Sequence, residues 1–184
     1  MSATLTEEIA TTAARLVVEE GMEYGPAKRK AVKAIGRSSV RPAEMPGNDA
    51  VEDEVRAYLA LFCADTQPGE LRALREAAVQ WMERLATLRP HLTGAVWRGT
   101  ATRLSCVHLQ LYCDDSKQAE LTLLDQGIDF DVGSRPGPRG RDVDVLTVSS
   151  GSRTLGEPVT VHLSVLDHDD LRGALKPDAR GLTS

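Results

Sequence analysis

The first half of the chain repeats apolar residues every three or four positions, which is the spacing of amphipathic helices with one buried face. Thr4 or Thr6 is suited to cap the first helix, and Gly21 is suited to end it. A short second helix is predicted over 27–35. The predicted buried faces of the first, third and fourth helices are Ile9, Ala13, Leu16 and Val17; Val51, Val55, Tyr58, Leu59 and Phe62; and Leu71, Leu74, Ala78, Trp81, Leu85 and Leu88.

From residue 91 onward, apolar and polar residues alternate, which is typical of half-buried strands. Strands are predicted over 91–98, 107–113, 128–132, 142–149 and 159–165. A helix around Ala119 and Leu123 joins the second and third strands, and such a crossover most naturally links parallel strands. The Gly- and Pro-rich segment 133–141 is predicted to be an irregular loop, and 170–175 a short last helix.

These elements predict an α+β fold. A helical N-terminal region (1–90) is followed by a mixed sheet of about five strands with one crossover helix (91–176). Residues 177–184 are predicted to be a tail.

Composition restricts the classes of function. The formal net charge of −5 argues against a dedicated nucleic-acid binder. The 3 cysteines are widely spaced and form no Cys-x-x-Cys pair, which disfavours a thiolate zinc site and indicates free thiols in a reducing compartment. The chain has neither a signal-peptide pattern at its start nor an apolar run of about 18 residues, so we expect a cytoplasmic location and no membrane partner.

The segment 28–41 is basic, although the chain as a whole is acidic. It contains six Lys and Arg residues and no Asp or Glu. Its simplest interpretation is a solvated face of the second helix and the loop after it. The alternative is a phosphate-binding patch that includes Lys28, Arg29 and Lys30.

A short motif precedes and includes the second predicted strand. A Gly99-Thr100 step is followed by Ser105-Cys106-Val107-His108-Leu109. This arrangement resembles the nucleotidyltransferase superfamily, which includes DNA polymerase β-like and minimal nucleotidyltransferases. In that family a Gly-Ser step approaches the nucleotide triphosphate, and a Ser-Asp-hydrophobic-Asp-hydrophobic strand supplies two metal-binding aspartates. A third carboxylate comes from a neighbouring strand. The resemblance covers residues 91–150.

The resemblance implies a nucleotide-binding role for Gly99, Thr100 and Ser105. It also puts Cys106 and His108 where the family has its two aspartates. A thiol and an imidazole are poor ligands for Mg²⁺, which prefers oxygen. We therefore expect a nucleotidyltransferase-like protein without two-metal catalysis, which binds a nucleotide, a nucleic acid or another phosphate-bearing ligand.

Two alternatives stay open, so the sequence does not decide whether the chain is an enzyme. An active, divergent nucleotidyltransferase would use His108 with Asp129, Asp131 or Asp144 and a relocated metal, and only this alternative calls for Mg²⁺. A non-enzymatic scaffold would instead bind a protein partner, because a fold alone does not determine function.

The polar positions of the predicted strands suggest a further arrangement. If the second, third and fifth strands share a sheet, His108, Gln110, Asp129, Asp131 and His162 could converge. Two imidazoles and two carboxylates could then bind a transition metal or act in acid–base chemistry. The simpler interpretation is the solvated face of a sheet whose other face is buried.

The pattern as a whole is also similar to a group of short bacterial proteins associated with UDP-N-acetylmuramate–alanine ligases. That similarity would imply ATP-dependent amide formation in peptidoglycan synthesis. Such a ligase needs a phosphate-binding loop that ends in Gly-Lys-[Ser/Thr]. The sequence contains no Gly-Lys step, so this activity is disfavoured.

Overall fold

The computed structural model describes residues 4–137 and 140–170 of the chain. They belong to two compact units. The first unit comprises the chain up to Gly69 together with Thr102–Ser105, and the second comprises the remainder. The predicted α+β fold is confirmed, with N-terminal helices followed by a mixed sheet. The last long helix of the predicted helical region belongs mostly to the same unit as the sheet.

Within its described residues, the first unit contains three complete helices and one short 3₁₀ helix: α1 (Leu5–Glu20), α2 (Tyr24–Ala34), α3 (Asn48–Phe62) and the 3₁₀ helix Pro42–Glu44. Thr4 caps α1 as predicted, and its hydroxyl and the Glu7 carboxylate each accept a backbone N–H of the other residue. Ile9, Val51 and Val55 are fully buried between α1 and α3.

The prediction that Phe62 belongs to the buried face of α3 is wrong. Its side chain is 67% exposed and its ring lies 4.7 Å from that of Tyr58 on the same helix. Phe62 is the last residue of α3, so helical spacing continues to it although the buried face of the helix ends at Leu59.

The second unit contains three helices, five strands and two short 3₁₀ helices within the described residues. They are α4 (Gln67–Arg84, whose first turn belongs to the first unit), the 3₁₀ helix Ala86–Leu88, β1 (His91–Thr93), α5 (Gly94–Arg98), β2 (Val107–Cys113), α6 (Gln118–Asp125), β3 (Asp131–Pro136), β4 (Asp142–Ser150), β5 (Val159–Asp167) and the 3₁₀ helix His168–Asp170. The rest of the predicted helix 170–175 and the predicted tail lie outside the described residues.

The strands form one sheet in the order β1-β2-β5-β4-β3. The central pair, β2 and β5, is parallel, and the other pairs are antiparallel. As predicted, α6 joins two strands that run in the same direction. However, β3 lies three positions away from β2, because β5 and β4 separate them.

One face of the sheet carries the core of this unit. Leu109, Leu146 and Leu163 project from three neighbouring strands and are fully buried. They pack in one cluster with Trp81 of α4 and Leu123 of α6. Because side chains alternate along a strand, the residues between these leucines lie on the opposite face.

The predicted boundaries of two strands, the first and the third, are wrong. The first strand ends at Thr93, and residues 94–98 form helix α5. The third strand begins at Asp131 and runs to Pro136, so the first four residues of the predicted loop 133–141 belong to a strand. Glycine and proline are tolerated there because β3 is an edge strand, in which only one side of the backbone pairs within the sheet.

Candidate functional site

Two imidazoles stack at the centre of the sheet. His108 of β2 and His162 of β5 are register partners, and their ring centroids lie 5.1 Å apart with an interplanar angle of 29°. Both residues are half-buried. His162 Nδ1 is hydrogen-bonded to Thr147 Oγ1 at 2.9 Å across the next strand pair, which fixes the orientation of its ring.

The stacked pair belongs to a row of residues that crosses the sheet. Thr93, His108, His162, Thr147 and Asp131 are successive register partners from β1 to β3. Register partners project on the same side, so all five lie on the face opposite the core.

A second aromatic contact lies beside this row. His91 packs edge-on against Tyr112, with ring centroids 5.2 Å apart, and the Tyr112 hydroxyl donates to Gln110 Oε1 at 2.9 Å. Burial raises the pKa of Tyr112, and the nearby carboxylate of Asp170 raises it further. Tyr112 therefore remains a hydrogen-bond donor at neutral pH. We call the surface formed by His91, Thr93, His108, Gln110, Thr147 and His162 the imidazole face.

Only part of this face could be predicted from the sequence. The alternation of β2 and β5 indicated His108, Gln110 and His162, but not that the two imidazoles are neighbours. The sequence did not predict that His91, Thr93 and Thr147 belong to this face. Each lies at an outward position of an alternating strand, and this alternation could have identified it. Which residues lie next to it depends on the register of the strands, which the sequence does not show.

The carboxylates proposed for catalysis do not gather around His108. Asp131 shares its row but lies three strands away, which at about 4.8 Å per strand is roughly 14 Å. Asp144 has the alternation of the core-facing residues Leu146 and Val148, so it projects from the opposite face. Asp129 precedes β3 and lines a shallow groove of about 370 Å³ with Asp131.

The described residues contain no group of three or more His, Cys, Asp or Glu side chains placed to hold a metal ion. The convergence of two imidazoles with two carboxylates is therefore not observed. The sheet instead brings together two imidazoles, with hydroxyl and amide side chains around them.

The backbone at Gly99-Thr100 differs from the predicted turn between two strands. Gly99 has a φ of +88° and ends helix α5, and the amides of Gly99 and Thr100 both donate to the carbonyl of Ala95, at 2.9 and 3.0 Å. In this conformation the two amides serve the helix end and do not point toward a ligand. Thr100 is buried, and its hydroxyl has no hydrogen-bond partner among the described residues.

Arg75 of α4 contacts the end of this helix. Its guanidinium donates from Nε to the Val96 carbonyl at 3.0 Å and from Nη2 to the Trp97 carbonyl at 3.2 Å. The last carbonyls of a helix have no partner within the helix, and Arg75 of α4 provides one. Gly94, with a φ of +76°, lets the chain turn from β1 into α5 beside His108.

The remaining residues predicted to bind a nucleotide belong to the first unit. Ser105 Oγ accepts from the Thr102 amide at 3.0 Å within a tight turn. Lys28 Nζ donates to the Pro46 carbonyl at 3.2 Å, and Lys30 pairs with Glu20 at 2.8 Å. Arg29 is exposed. Two of the three basic side chains thus have partners within their own unit, as expected for a solvated structural face.

A cleft of about 270 Å³ lies beside the first residues of β4 and the last residues of β5. Its acidic lining consists of Asp142, Asp144, Asp167 and Asp170, and Arg141 supplies one positive charge. The excess of carboxylates makes this cleft unfavourable for a phosphate.

Comparison with known proteins returned no match to a protein-family model, a curated protein or a solved structure. Among the helices of the described residues, none has the length and apolar character needed to cross a membrane.

Proposed function

We propose that this chain is a nucleotidyltransferase-like module that binds a nucleotide or another phosphate-bearing ligand on the imidazole face, without two-metal catalysis. The observation that supports this proposal is the stacked pair of His108 and His162 at the centre of the sheet. His108 occupies a strand position at which the resembling family has a metal-binding aspartate. At this position the site therefore presents an imidazole, which can donate a hydrogen bond, in place of a carboxylate.

The chemistry of these groups favours an anion. Imidazole N–H groups, and more strongly imidazolium groups, donate hydrogen bonds to phosphate oxygens. Gln110 and Thr147 lie beside the pair and can donate further bonds. Two carboxylates would repel a phosphate unless a metal ion lay between them, whereas an imidazole pair needs no metal.

The geometry gives less support to an active, divergent enzyme. Two-metal transfer requires several carboxylates around one point, because each hard cation takes oxygen ligands. Asp131 and Asp144 project from opposite faces of the sheet, and Asp131 is about 14 Å from His108. A bound Mg²⁺ ion is expected only if this alternative holds.

Thermal unfolding of the full chain tests the proposal. ATP, CTP, GTP, UTP and inorganic phosphate are each added with and without Mg²⁺ or Mn²⁺. A ligand at about 100 times its Kd stabilises the folded state by about 2.7 kcal/mol, which for a chain of this size raises Tm by roughly 5 to 10 °C. We expect such a shift without metal for at least one phosphate-bearing ligand.

Glutamine variants identify the surface that binds. His108→Gln and His162→Gln should each abolish most of the shift, while His168→Gln, at an exposed position outside the imidazole face, should keep it. A shift that requires Mg²⁺ would instead support the divergent enzyme. No shift with any of these ligands would refute phosphate binding and favour the protein scaffold.

We also propose a cytoplasmic location. Cys63, Cys106 and Cys113 form no disulfide with one another. Cys113 is buried in the core, where burial raises the pKa of its thiol. Reduced, unpaired cysteines are usual in a reducing compartment.

A further inference from the structure

The outer edge of β3 is an exposed edge of the sheet. β3 is the last strand in the order β1-β2-β5-β4-β3, and all six of its residues are exposed. β4 pairs with one side of it, and within the described part of the chain no strand pairs with the other. An exposed edge of this kind is a template for pairing with another strand.

The register shows which backbone groups point outward. The Gly137 amide donates to the Arg141 carbonyl at 2.8 Å, at the end of the β3–β4 hairpin. Hydrogen-bonded pairs alternate along an antiparallel ladder, so Gly133 and Arg135 also direct their N–H and C=O groups toward β4. Val132, Ser134 and Pro136 consequently direct theirs away from the sheet. Proline is tolerated at this outward position because the pairing with β4 needs no N–H there.

We propose that β3 pairs antiparallel with β3 of a second copy of this chain, about a two-fold axis at Gly133. Val132 then faces Ser134 of the second copy, and the reverse pair forms on the other side of the axis. Each pair exchanges two backbone hydrogen bonds, because both residues direct N–H and C=O groups outward. The two sheets become one continuous sheet, and the same surface serves both copies, as two-fold symmetry requires.

The charges of β3 are self-complementary in this register. Asp131 of each copy lies opposite Arg135 of the other, so the axis generates two ion pairs. Both are non-hydrogen-bonded positions, where opposing side chains approach most closely. Edge strands that avoid pairing often carry charges that repel another edge. Here the opposite signs at equal distances from Gly133 favour pairing.

Adjacent registers are less favourable for chemical reasons. Moving the axis to Ser134 puts Val132 opposite Pro136, which has no N–H to donate. Moving the axis to Val132 puts Asp131 opposite Gly133, so the ion pairs are lost. The sequence of β3 therefore selects the axis at Gly133.

Sedimentation equilibrium of the full chain tests the dimer and its charges. A contact between two short strands is small, so we expect a weak dimer that forms across about 10 to 500 µM chain. Arg135→Asp puts like charges opposite each other twice and should raise the dimer Kd by at least about tenfold. Reversing both charges, in Asp131→Arg with Arg135→Asp, should restore it. Arg153→Asp makes the same charge change in the exposed turn before β5 and should have no effect.

Disulfide trapping tests the register. In a chain with Cys63 and Cys106 replaced by serine, Gly133→Cys puts two thiols opposite each other at the axis, where Cα atoms are about 4.5 Å apart. A Cβ at Gly133 has room, because its nearest neighbour would be the Val145 carbonyl at 3.9 Å. We expect a disulfide-linked dimer under mild oxidation. Ser134→Cys should give little, because its two copies are offset along the strands.

The outcomes are decisive in either direction. Loss of the dimer in Arg135→Asp with its return in the double reversal supports the proposal, provided that circular dichroism shows all variants folded. A wild-type chain that stays monomeric over the whole concentration range overturns it. So does a dimer that Arg135→Asp leaves unchanged, or one that Ser134→Cys links more efficiently than Gly133→Cys.

Discussion

Replacing Arg75 by alanine tests why residues 94–98 form a helix. The Arg75 guanidinium joins α4 to the end of α5 through the carbonyls of Val96 and Trp97, at 3.0 and 3.2 Å. Both carbonyls belong to the last turn of α5, so no following turn of helix donates a hydrogen bond to either of them. Without Arg75 they must be hydrated, and α5 loses its connection to α4.

The expected loss of stability depends on how far the two Arg75 hydrogen bonds are buried. A hydrogen bond from a charged group contributes about 1.5 to 3 kcal/mol when it is protected from solvent. The bond to Val96 is partly buried and the bond to Trp97 is exposed, so the second contributes little. We expect Arg75→Ala to lower the free energy of unfolding by about 1 to 2 kcal/mol.

The control is Arg72→Ala, on the same helix. Arg72 pairs with Glu76 at 3.2 Å, and both side chains are mainly exposed, so its loss should cost less than about 0.5 kcal/mol. Urea unfolding followed by circular dichroism compares the two variants. Arg75→Lys should recover little, because a single ammonium group cannot reproduce the planar donor pair of a guanidinium.

Hydrogen exchange measures the local effect. The amides of Gly99 and Thr100 donate to Ala95 within this helix end, so their exchange should accelerate in Arg75→Ala and stay unchanged in Arg72→Ala. Equal stability of the two alanine variants, together with unchanged exchange at Gly99 and Thr100, would refute the assignment of this role to Arg75.

Two further predictions concern ionisation. The Tyr58 hydroxyl donates to Glu19 Oε1 at 2.6 Å, which raises the pKa of Tyr58. The stabilisation from this bond is therefore complete below about pH 10, the ordinary tyrosine value, and is lost as the pH rises through the higher folded-state value. Ultraviolet titration should find the tyrosinate forming at lower pH in Glu19→Ala, and an unchanged curve would contradict this. Burial raises the pKa of Cys113, so iodoacetamide should modify it far more slowly than the two partly exposed thiols, and equal rates for all three would contradict its burial.

The parts of the fold that could be predicted are those in which burial is periodic along the chain. Leu74, Ala78 and Trp81 of α4 are buried at the expected helical spacing. The second strand, with Leu109 and Leu111 in the core, lies where alternation predicted it. Periodicity reports which side of an element is buried, so it succeeds for long elements with one buried side.

The parts that could not be predicted depend on residues that are distant in sequence. α5 is held by Arg75, about 20 residues before it, and nothing within 94–98 indicates that partner. β3 is wholly exposed, so it has no buried alternation to detect, and it is a strand because β4 pairs with it. Phe62 fits a helical pattern but lies where that helix ends.

The candidate site was predicted as a set of residue types and not as an arrangement. The sequence predicted a resemblance to a nucleotidyltransferase motif, with Cys106 and His108 at the positions of its two aspartates. The pairing of His108 with His162 depends on β5 lying next to β2, and strand order is a long-range property. The catalytic roles of Asp129, Asp131 and Asp144 stay predictions. On the sheet, Asp131 and Asp144 project from opposite faces.

The parallel pairing of β2 with β5 also affects when the imidazole face forms during folding. β3 and β4, and β4 and β5, are joined by short connections, whereas Val107 and its partner Val161 are more than 50 residues apart along the chain. Contacts between distant residues require a large loop to close and are the slow ones to form. His108 and His162 therefore meet only when the least local pair of the sheet is complete. A ligand that contacts both imidazoles would bind the complete sheet, and would not bind a partly folded chain in which only the β3-β4-β5 hairpins have formed.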